Sequence, residues 1–270
     1  MADKQIYDTS ALYNQHMGEA EQQAFERFYK KLFAGYNIIT IHDCSIGAGG
    51  TTLPLSKLGY IVSGSDLSKN LLNRAKINFE QHGFSPRLFI ADFRNIGDFL
   101  DKKIDCIIST GNSLPHVNLN GIESFLESAS KRLADKGLLF FDIRNWDAII
   151  YEKPIIHAVD PKTMSADEHR SVYLLFNWHD DGSVTFSFAT SIDQHGKHVS
   201  MDVISCPVYY PLLKSDISTC LTKHRFKLLR YIDMDDIWLA KGMEKSKSHN
   251  FEDDFTNIQW YGVLAQKLSP

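Results

Sequence analysis

A glycine-rich turn, CSIGAGG at residues 44–50, lies between two aspartates: Asp43 before it and Asp66 at the end of the next apolar run. Glycines at 47, 49 and 50 let the backbone turn tightly and come close to a ligand. A carboxylate at the end of the following strand is well placed to accept hydrogen bonds from a ribose diol. A loop built for a dinucleotide pyrophosphate reads G-x-G-x-x-G, and here the third position is Thr52. A single G-x-G decides little alone. The acid before the loop and the order of the later elements favour a different ligand, because a loop with no pyrophosphate to admit tolerates a bulkier third residue.

Three further polar residues stand where later apolar runs end or return. Arg144 follows the run GLLFFDIR (137–144). Its guanidinium can hold a carboxylate through two parallel bonds, or it can pair with Asp142 or Asp147 at a sheet edge. Asn112 follows the run IDCIIST (104–110), and its amide can donate, accept or cap a turn. Tyr210 can point a hydroxyl into a pocket or pack on a sheet. The histidines show no H-x-x-x-H or H-E-x-x-H spacing, and Cys44, Cys106, Cys206 and Cys220 form no C-x-x-C pair. No metal site is expected, and the cysteines read as buried free thiols of a reducing compartment.

These residues must be positioned by an alternation of strands and helices. The runs NIITIHDCS (37–45), YIVSGSD (60–66), PRLFIAD (86–92), IDCIIST and GLLFFDIR are nearly continuously apolar, as parallel strands buried on both faces are. Helical spacing links Phe25, Phe28, Tyr29 and Leu32 within 19–33, Leu71, Leu72, Ala75 and Phe79 after the second run, and Ile122, Phe125, Leu126, Ala129 and Leu133 before the fifth. Pro54 suits the first turn of the helix after the glycines, and Gly137 suits a C-terminal cap. This order predicts an open, doubly wound, mostly parallel α/β sheet, with ligands at the carboxyl ends of its strands. The pattern then changes. Two alternating runs flank an Asp-Gly turn in 170–192, a hairpin signal, and 198–211 reads as a third antiparallel strand. A helix near 214–224 and the closing runs FKLLRYID and FTNIQWYGVLAQKL complete the chain.

The chain has 270 residues, 43% of them hydrophobic, which suits one large domain or one domain with an insertion. A net charge of −4 without a basic block argues against a nucleic-acid partner, and the mixed stretch KGMEKSKSHN (241–250) reads as a solvated loop. No signal peptide and no apolar run of membrane-spanning length is legible, so a cytoplasmic protein with no membrane partner is expected.

The pattern D-x-x-x-G-x-G followed by an acid at the next strand end resembles the class I S-adenosylmethionine-dependent methyltransferases. Three later segments narrow the resemblance to the glycine/sarcosine N-methyltransferase group: STGNSLPHV (109–117), FFDIRNWDAII (140–150) and VYYPL (208–212), in the family's order. The resemblance implies a Rossmann-like, seven-stranded core at 37–147 and 207–270, an N-terminal arm and helix at 1–36, and an antiparallel insertion at 148–206 that covers the site. It implies S-adenosyl-L-methionine as cofactor and a small-molecule substrate, a small amine or amino acid such as glycine or sarcosine; a hydroxyl, carbon or heterocycle-nitrogen acceptor on another small metabolite, or a non-catalytic S-adenosylmethionine-binding protein, are the alternatives, and the oligomeric state is left open. The implied cofactor contacts are Tyr13, Gly47, Gly49, Asp66, Leu67, Asp92, Phe93 and Thr110. Asn112, Arg144 and Tyr210 are the implied catalytic group, with Arg144 on the substrate carboxylate. Tyr7 and Tyr13 lie in an arm that would close over the site. The family's N-terminal arginine for the cofactor carboxylate has no counterpart, since Arg27, the only arginine before the first core strand, lies within a helical pattern.

Overall fold

The computed structural model describes residues 17–165, 168–238, 248–249 and 258–269. The first helix, α1 (Glu19–Leu32), begins where Glu21 Oε2 accepts the Gly18 N–H at 2.8 Å. It buries Phe25, Phe28, Tyr29 and Leu32, the stripe that the helical spacing marks. Phe28 reaches Phe140 on the sheet at 5.7 Å. Full burial of each such side chain contributes about 1.5–3 kcal/mol.

Five strands then pair in parallel: β1 (Thr40–Asp43), β2 (Ile61–Asp66), β3 (Arg87–Ile90), β4 (Ile104–Ser109) and β5 (Leu133–Arg144). Helices α2 (Leu53–Lys57), α3 (Lys69–Gln81), α4 (Ile96–Phe99) and α5 (Leu119–Arg132) connect them, and α6 (Trp146–Glu152) follows β5. After α6 come β6 (Ile156–Ser165), β7 (Glu168–Trp178), β8 (Val184–Gln194) and β9 (Lys197–Tyr209). The chain then returns through α7 (Lys214–Lys223), β10 (Phe226–Asp233), α8 (Asp235–Trp238), β11 (Ser248–His249) and β12 (Trp260–Lys267). The main sheet runs β11-β10-β12-β5-β4-β1-β2-β3, with β12 antiparallel to both β5 and β10. These are the seven expected strands plus the two-residue β11 at the edge. The strand order reverses between β1 and β4, which opens a crevice above their carboxyl ends. Pro54 sits in the first turn of α2 as expected.

Gly137 is not a helix cap. Helix α5 ends at Arg132 and the chain passes directly into β5, within which Gly137 lies. Lys136 takes the left-handed conformation at φ 59° instead, and a Cβ on Gly137 would come within 2.9 Å of the Ala134 carbonyl oxygen. The glycine therefore serves close packing inside the strand.

The second sheet is antiparallel in the order β6-β7-β8-β9. The Asp-Gly turn joins β7 to β8: Asp181 Oδ1 accepts the Ser183 N–H (3.0 Å) and hydroxyl (2.6 Å), and Gly182 has φ 80°. This sheet packs at the carboxyl ends of β4 and β5. The Phe186 ring stacks on Trp146 at 5.8 Å, Tyr209 lies 4.2 Å from His116, and the Tyr210 N–H donates to the Pro115 carbonyl at 2.7 Å. Phe176 is buried against Phe186, and Trp178 Nε1 donates to the Pro154 carbonyl at 3.0 Å. All four cysteines are free and buried. Among the described residues no helix is long and apolar enough to cross a membrane.

Candidate active site

The glycine loop is fastened from below. Strand β1 ends at Asp43, fully buried, whose Oδ1 accepts the Ser45 N–H at 3.0 Å and whose Oδ2 accepts the Thr52 hydroxyl at 2.5 Å. Thr52, at the third position of the glycine pattern, thus ties the far end of the loop to the strand before it. Gly49 adopts φ 79°, and a Cβ there would lie 2.6 Å from Phe79 of α3, so only glycine lets the loop settle on that helix. Gly47 adopts φ 53° and donates its N–H to Asp66 Oδ2 at 2.9 Å. The Ser68 N–H donates to Asp66 Oδ1 at 2.9 Å. The Asp66 carboxylate is therefore oriented at the end of β2, next to Leu67, an apolar side chain that is 60% exposed. A Cβ on Gly47 would meet nothing within 4 Å, so the loop presents bare backbone to open space.

The loop after β4 is stitched to the glycine loop by hydroxyls. Ser45 Oγ lies 3.0 Å from Ser109 Oγ and accepts the Thr110 N–H at 3.1 Å, while the Thr51 and Thr110 hydroxyls meet at 2.9 Å. Asn112, buried and at φ 59°, accepts on its Oδ1 the Arg144 N–H (3.1 Å) and Trp146 Nε1 (3.3 Å). Its carbonyl joins the loop after β4 to the end of β5. Asp142, fully buried beside it, accepts the N–H groups of Gly111 (2.8 Å) and Asn112 (3.3 Å) and Trp238 Nε1 (3.3 Å). The Arg144 guanidinium lies over the Trp260 ring at 4.8 Å, and Asp147 accepts the Lys214 N–H at 3.0 Å.

At the end of β3, Asp92 accepts the Arg94 backbone N–H at 2.8 Å and pairs with its guanidinium at 2.6 Å. Burial raises the Asp92 carboxyl, but the bonds and charge of Arg94 outweigh it and hold it below its ordinary value. Phe93, expected beside a base, turns its ring into the core and meets Phe125 edge-on at 5.5 Å. At the end of β9, Tyr209 is the buried ring, and Tyr210, one residue past the strand, is half-buried. Arg27 is exposed on α1. Tyr7 and Tyr13 lie outside the described residues, as does most of 241–250. The chain enters the described region at the site, with Met17 within 3.5 Å of where a Gly50 Cβ would stand.

The structure thus brings Gly47, Gly49, Asp66, Leu67, Thr110, Asn112 and Arg144 around one crevice. Sequence reasoning missed Ser45, Thr51, Trp146, Trp238 and Trp260, and read Asp142 only as a partner for Arg144, not as the acceptor for Gly111, Asn112 and Trp238. Asp142 carried a legible signal, a lone acid inside the apolar run GLLFFDIR.

Burial pushes two carboxyls up. Asp43 rises to about 6 and Asp142 to about 7, each by desolvation that its hydrogen bonds offset only in part, and each is raised further by a nearby carboxylate. For Asp43 the native state binds the extra proton. Its contribution to stability is fully present below the unfolded value near 4 and is lost as pH rises through 6. An asparagine side chain at this position would still accept from Ser45 and could donate to the Thr52 hydroxyl. Asp43→Asn is therefore expected to gain on the wild type by about 2–3 kcal/mol between about pH 4 and about pH 8, the size of a two-unit shift. Urea unfolding at both pH values checks this, and parallel pH profiles would contradict it.

Comparison with known proteins agrees with this geometry. Residues 41–137, from the first strand through the glycine loop to the fifth, match the Methyltransferase domain. The chain is 30% identical over 111 residues to a glycine/sarcosine N-methyltransferase of Halorhodospira halochloris, covering 41% of each chain. It is 26% identical over 132 residues to another from Parasynechococcus marenigrum, covering 48% of this chain and 47% of that one. The chain spans about half the length of the curated relatives it matches. Among solved structures, an S-adenosylmethionine-dependent methyltransferase from Clostridium acetobutylicum superposes with a TM-score of 0.70 at 16% identity, over 98% of this chain and 97% of that one. An amino pentose methyltransferase from Micromonospora echinaspora, solved with S-adenosylmethionine bound, gives 0.68 at 11% identity over 97% of each chain. The domain match, the strand order and the glycine crevice lead to one placement: this chain has the class I fold of the S-adenosylmethionine-dependent methyltransferases, with a methyltransferase domain at its centre.

Proposed function

We propose that the protein transfers a methyl group from S-adenosylmethionine to the nitrogen of a small amine that carries a carboxylate, of which glycine and sarcosine are the simplest. The residues of the crevice fit the donor. Asp66 presents an oriented carboxylate for a ribose diol, Gly47 offers bare backbone beside it, Leu67 offers apolar surface, and Thr110 lies across the crevice. Asp92, at the end of β3 and paired with Arg94, would accept an adenine amino group, with Phe93 backing its turn from the core. When bound, S-adenosylmethionine supplies a methyl group already activated by the positive sulfonium.

The chain's own task is then to align and to exclude water. Arg144 would hold the acceptor carboxylate, and Asn112 fixes the strand end from which Arg144 projects. Tyr210, just past the end of β9, would border the acceptor. An amine needs only to arrive unprotonated, so no general base is assigned. Residues 148–206 would act as the cover. Two things support the acceptor class: the guanidinium of Arg144 at the carboxyl end of β5, and the likeness to glycine/sarcosine N-methyltransferases. The first is the observation that carries the reading.

The test is a matched pair of acceptors. Glycine and sarcosine, offered with labelled donor, are expected to be methylated, and glycinamide, which lacks the carboxylate, at least about tenfold more slowly, the scale of losing one or two charged hydrogen bonds. Turnover of a neutral heterocycle or a phenol, with none of any carboxylate-bearing amine, would overturn the acceptor class while leaving a methyltransferase.

A further inference from the structure

Arg144 is gripped from two sides. Its backbone N–H donates to Asn112 Oδ1, and its Cζ lies 4.8 Å from the centre of the Trp260 ring. Trp260 is also its cross-strand partner in the pairing of β5 with β12. Trp260 stacks on Trp238, with centroids 5.1 Å apart and planes 25° from parallel. Trp238 in turn meets Phe25 of α1 edge-on at 5.6 Å and donates Nε1 to Asp142 Oδ2 at 3.3 Å. Asp142 Oδ1 receives the N–H of Asn112, which closes the circuit back to Arg144.

A cation over an indole face is drawn to the ring quadrupole, more strongly where water is scarce, and Trp260 is only 7% exposed. A guanidinium laid flat on a ring face would keep its N–H edge in its own plane. That edge is the part that receives a carboxylate bidentately. We infer that Trp260, backed by Trp238, is a positioning residue that fixes the pose in which Arg144 meets the carboxylate of the acceptor. The inference rests on the assignment of Arg144 to the acceptor proposed above.

The test has one readout that needs no acceptor. In the full chain, the Arg144 Nε–H resonance, assigned by its loss in Arg144→Lys, should show an upfield ring-current shift and restricted motion. Trp260→Leu is expected to abolish the upfield shift and lower the order parameter below about 0.6, the flexible range. Trp260→Phe should keep most of both. Unchanged values in Trp260→Leu would overturn the inference. The second readout is kinetic. With a methylated carboxylate amine, Trp260→Leu should raise the acceptor KM about tenfold, within the range of a partly desolvated cation–π contact, with kcat altered less than about threefold and donor Kd unmoved. Trp260→Phe should stay within about threefold of wild type. Equal KM in all three proteins would also overturn it. If Trp260→Leu fails to fold by circular dichroism, Trp260→Phe and Trp238→Phe carry the comparison, with small KM increases expected and none contradicting. An Arg144 freed by Trp260→Leu, in a protein that methylates no carboxylate amine, would overturn the acceptor assignment alone and leave the hold of Trp260 on Arg144 supported.

Discussion

Arg144→Ala should lower kcat/KM for a carboxylate-bearing amine by about a hundredfold or more while leaving donor affinity within about twofold. Two charge-assisted bonds to a carboxylate are each worth about 1.5–3 kcal/mol, and losing them leaves the partner unpaired in a closed site. Donor affinity is spared because the groups proposed for the ribose, Asp66 and the Gly47 backbone, belong to the other side of the strand-order switch, and Thr110 alone of the named donor groups shares the side of Arg144. Arg144→Lys keeps the charge but loses the planar fork and the fit over Trp260, so about a tenfold loss or more is expected. Steady-state kinetics of both variants, paired with donor titration calorimetry, separates the two sites. An Arg144→Ala enzyme with wild-type kcat/KM would remove Arg144 from the reaction and leave it a packing residue on Trp260.

Asp66→Ala should weaken S-adenosylmethionine binding by about 1.5–3 kcal/mol, the scale of losing hydrogen bonds to a charged acceptor. Part of that loss comes from the loop itself, because Asp66 also accepts the N–H groups of Gly47 and Ser68 and so sets the shape of the turn. Asp66→Asn keeps one acceptor oxygen and is expected to fall between alanine and wild type. Calorimetry on folded variants decides the point, and an unchanged donor affinity in Asp66→Ala would sink the assignment.

The core strands were legible because strands buried on both faces leave near-continuous apolar runs, as β1, β4 and β5 do, while the edge strand β3 reads as apolar although none of its residues is buried. Strand β6 was not, since Ile156–Ser165 reads IHAVDPKTMS, with two charges, a proline and little alternation, as an edge strand can. The glycine loop and Asp66 were legible as a motif. What the motif hid was Thr52, read as a missing glycine when its hydroxyl holds Asp43. Tyr209 and Tyr210 could not be told apart by type: Tyr209 closes β9 and is buried, while Tyr210 lies one residue past the strand and is half-buried. For Arg144 the sequence offered only neighbouring acids as partners. The ring beneath it comes from Trp260 near the end of the chain, brought there by the antiparallel register of β12, a pairing that local spacing does not encode.

The most direct measurement is a single-turnover reaction. Protein charged with one equivalent of methyl-labelled S-adenosylmethionine would be mixed with glycine or sarcosine, and the products resolved by mass spectrometry. The expected result is one labelled N-methyl product for each S-adenosylhomocysteine formed, with both lost together in Arg144→Ala, which still binds the donor. Donor consumed without label on nitrogen, or label transferred equally well by Arg144→Ala, would contradict this account of the site.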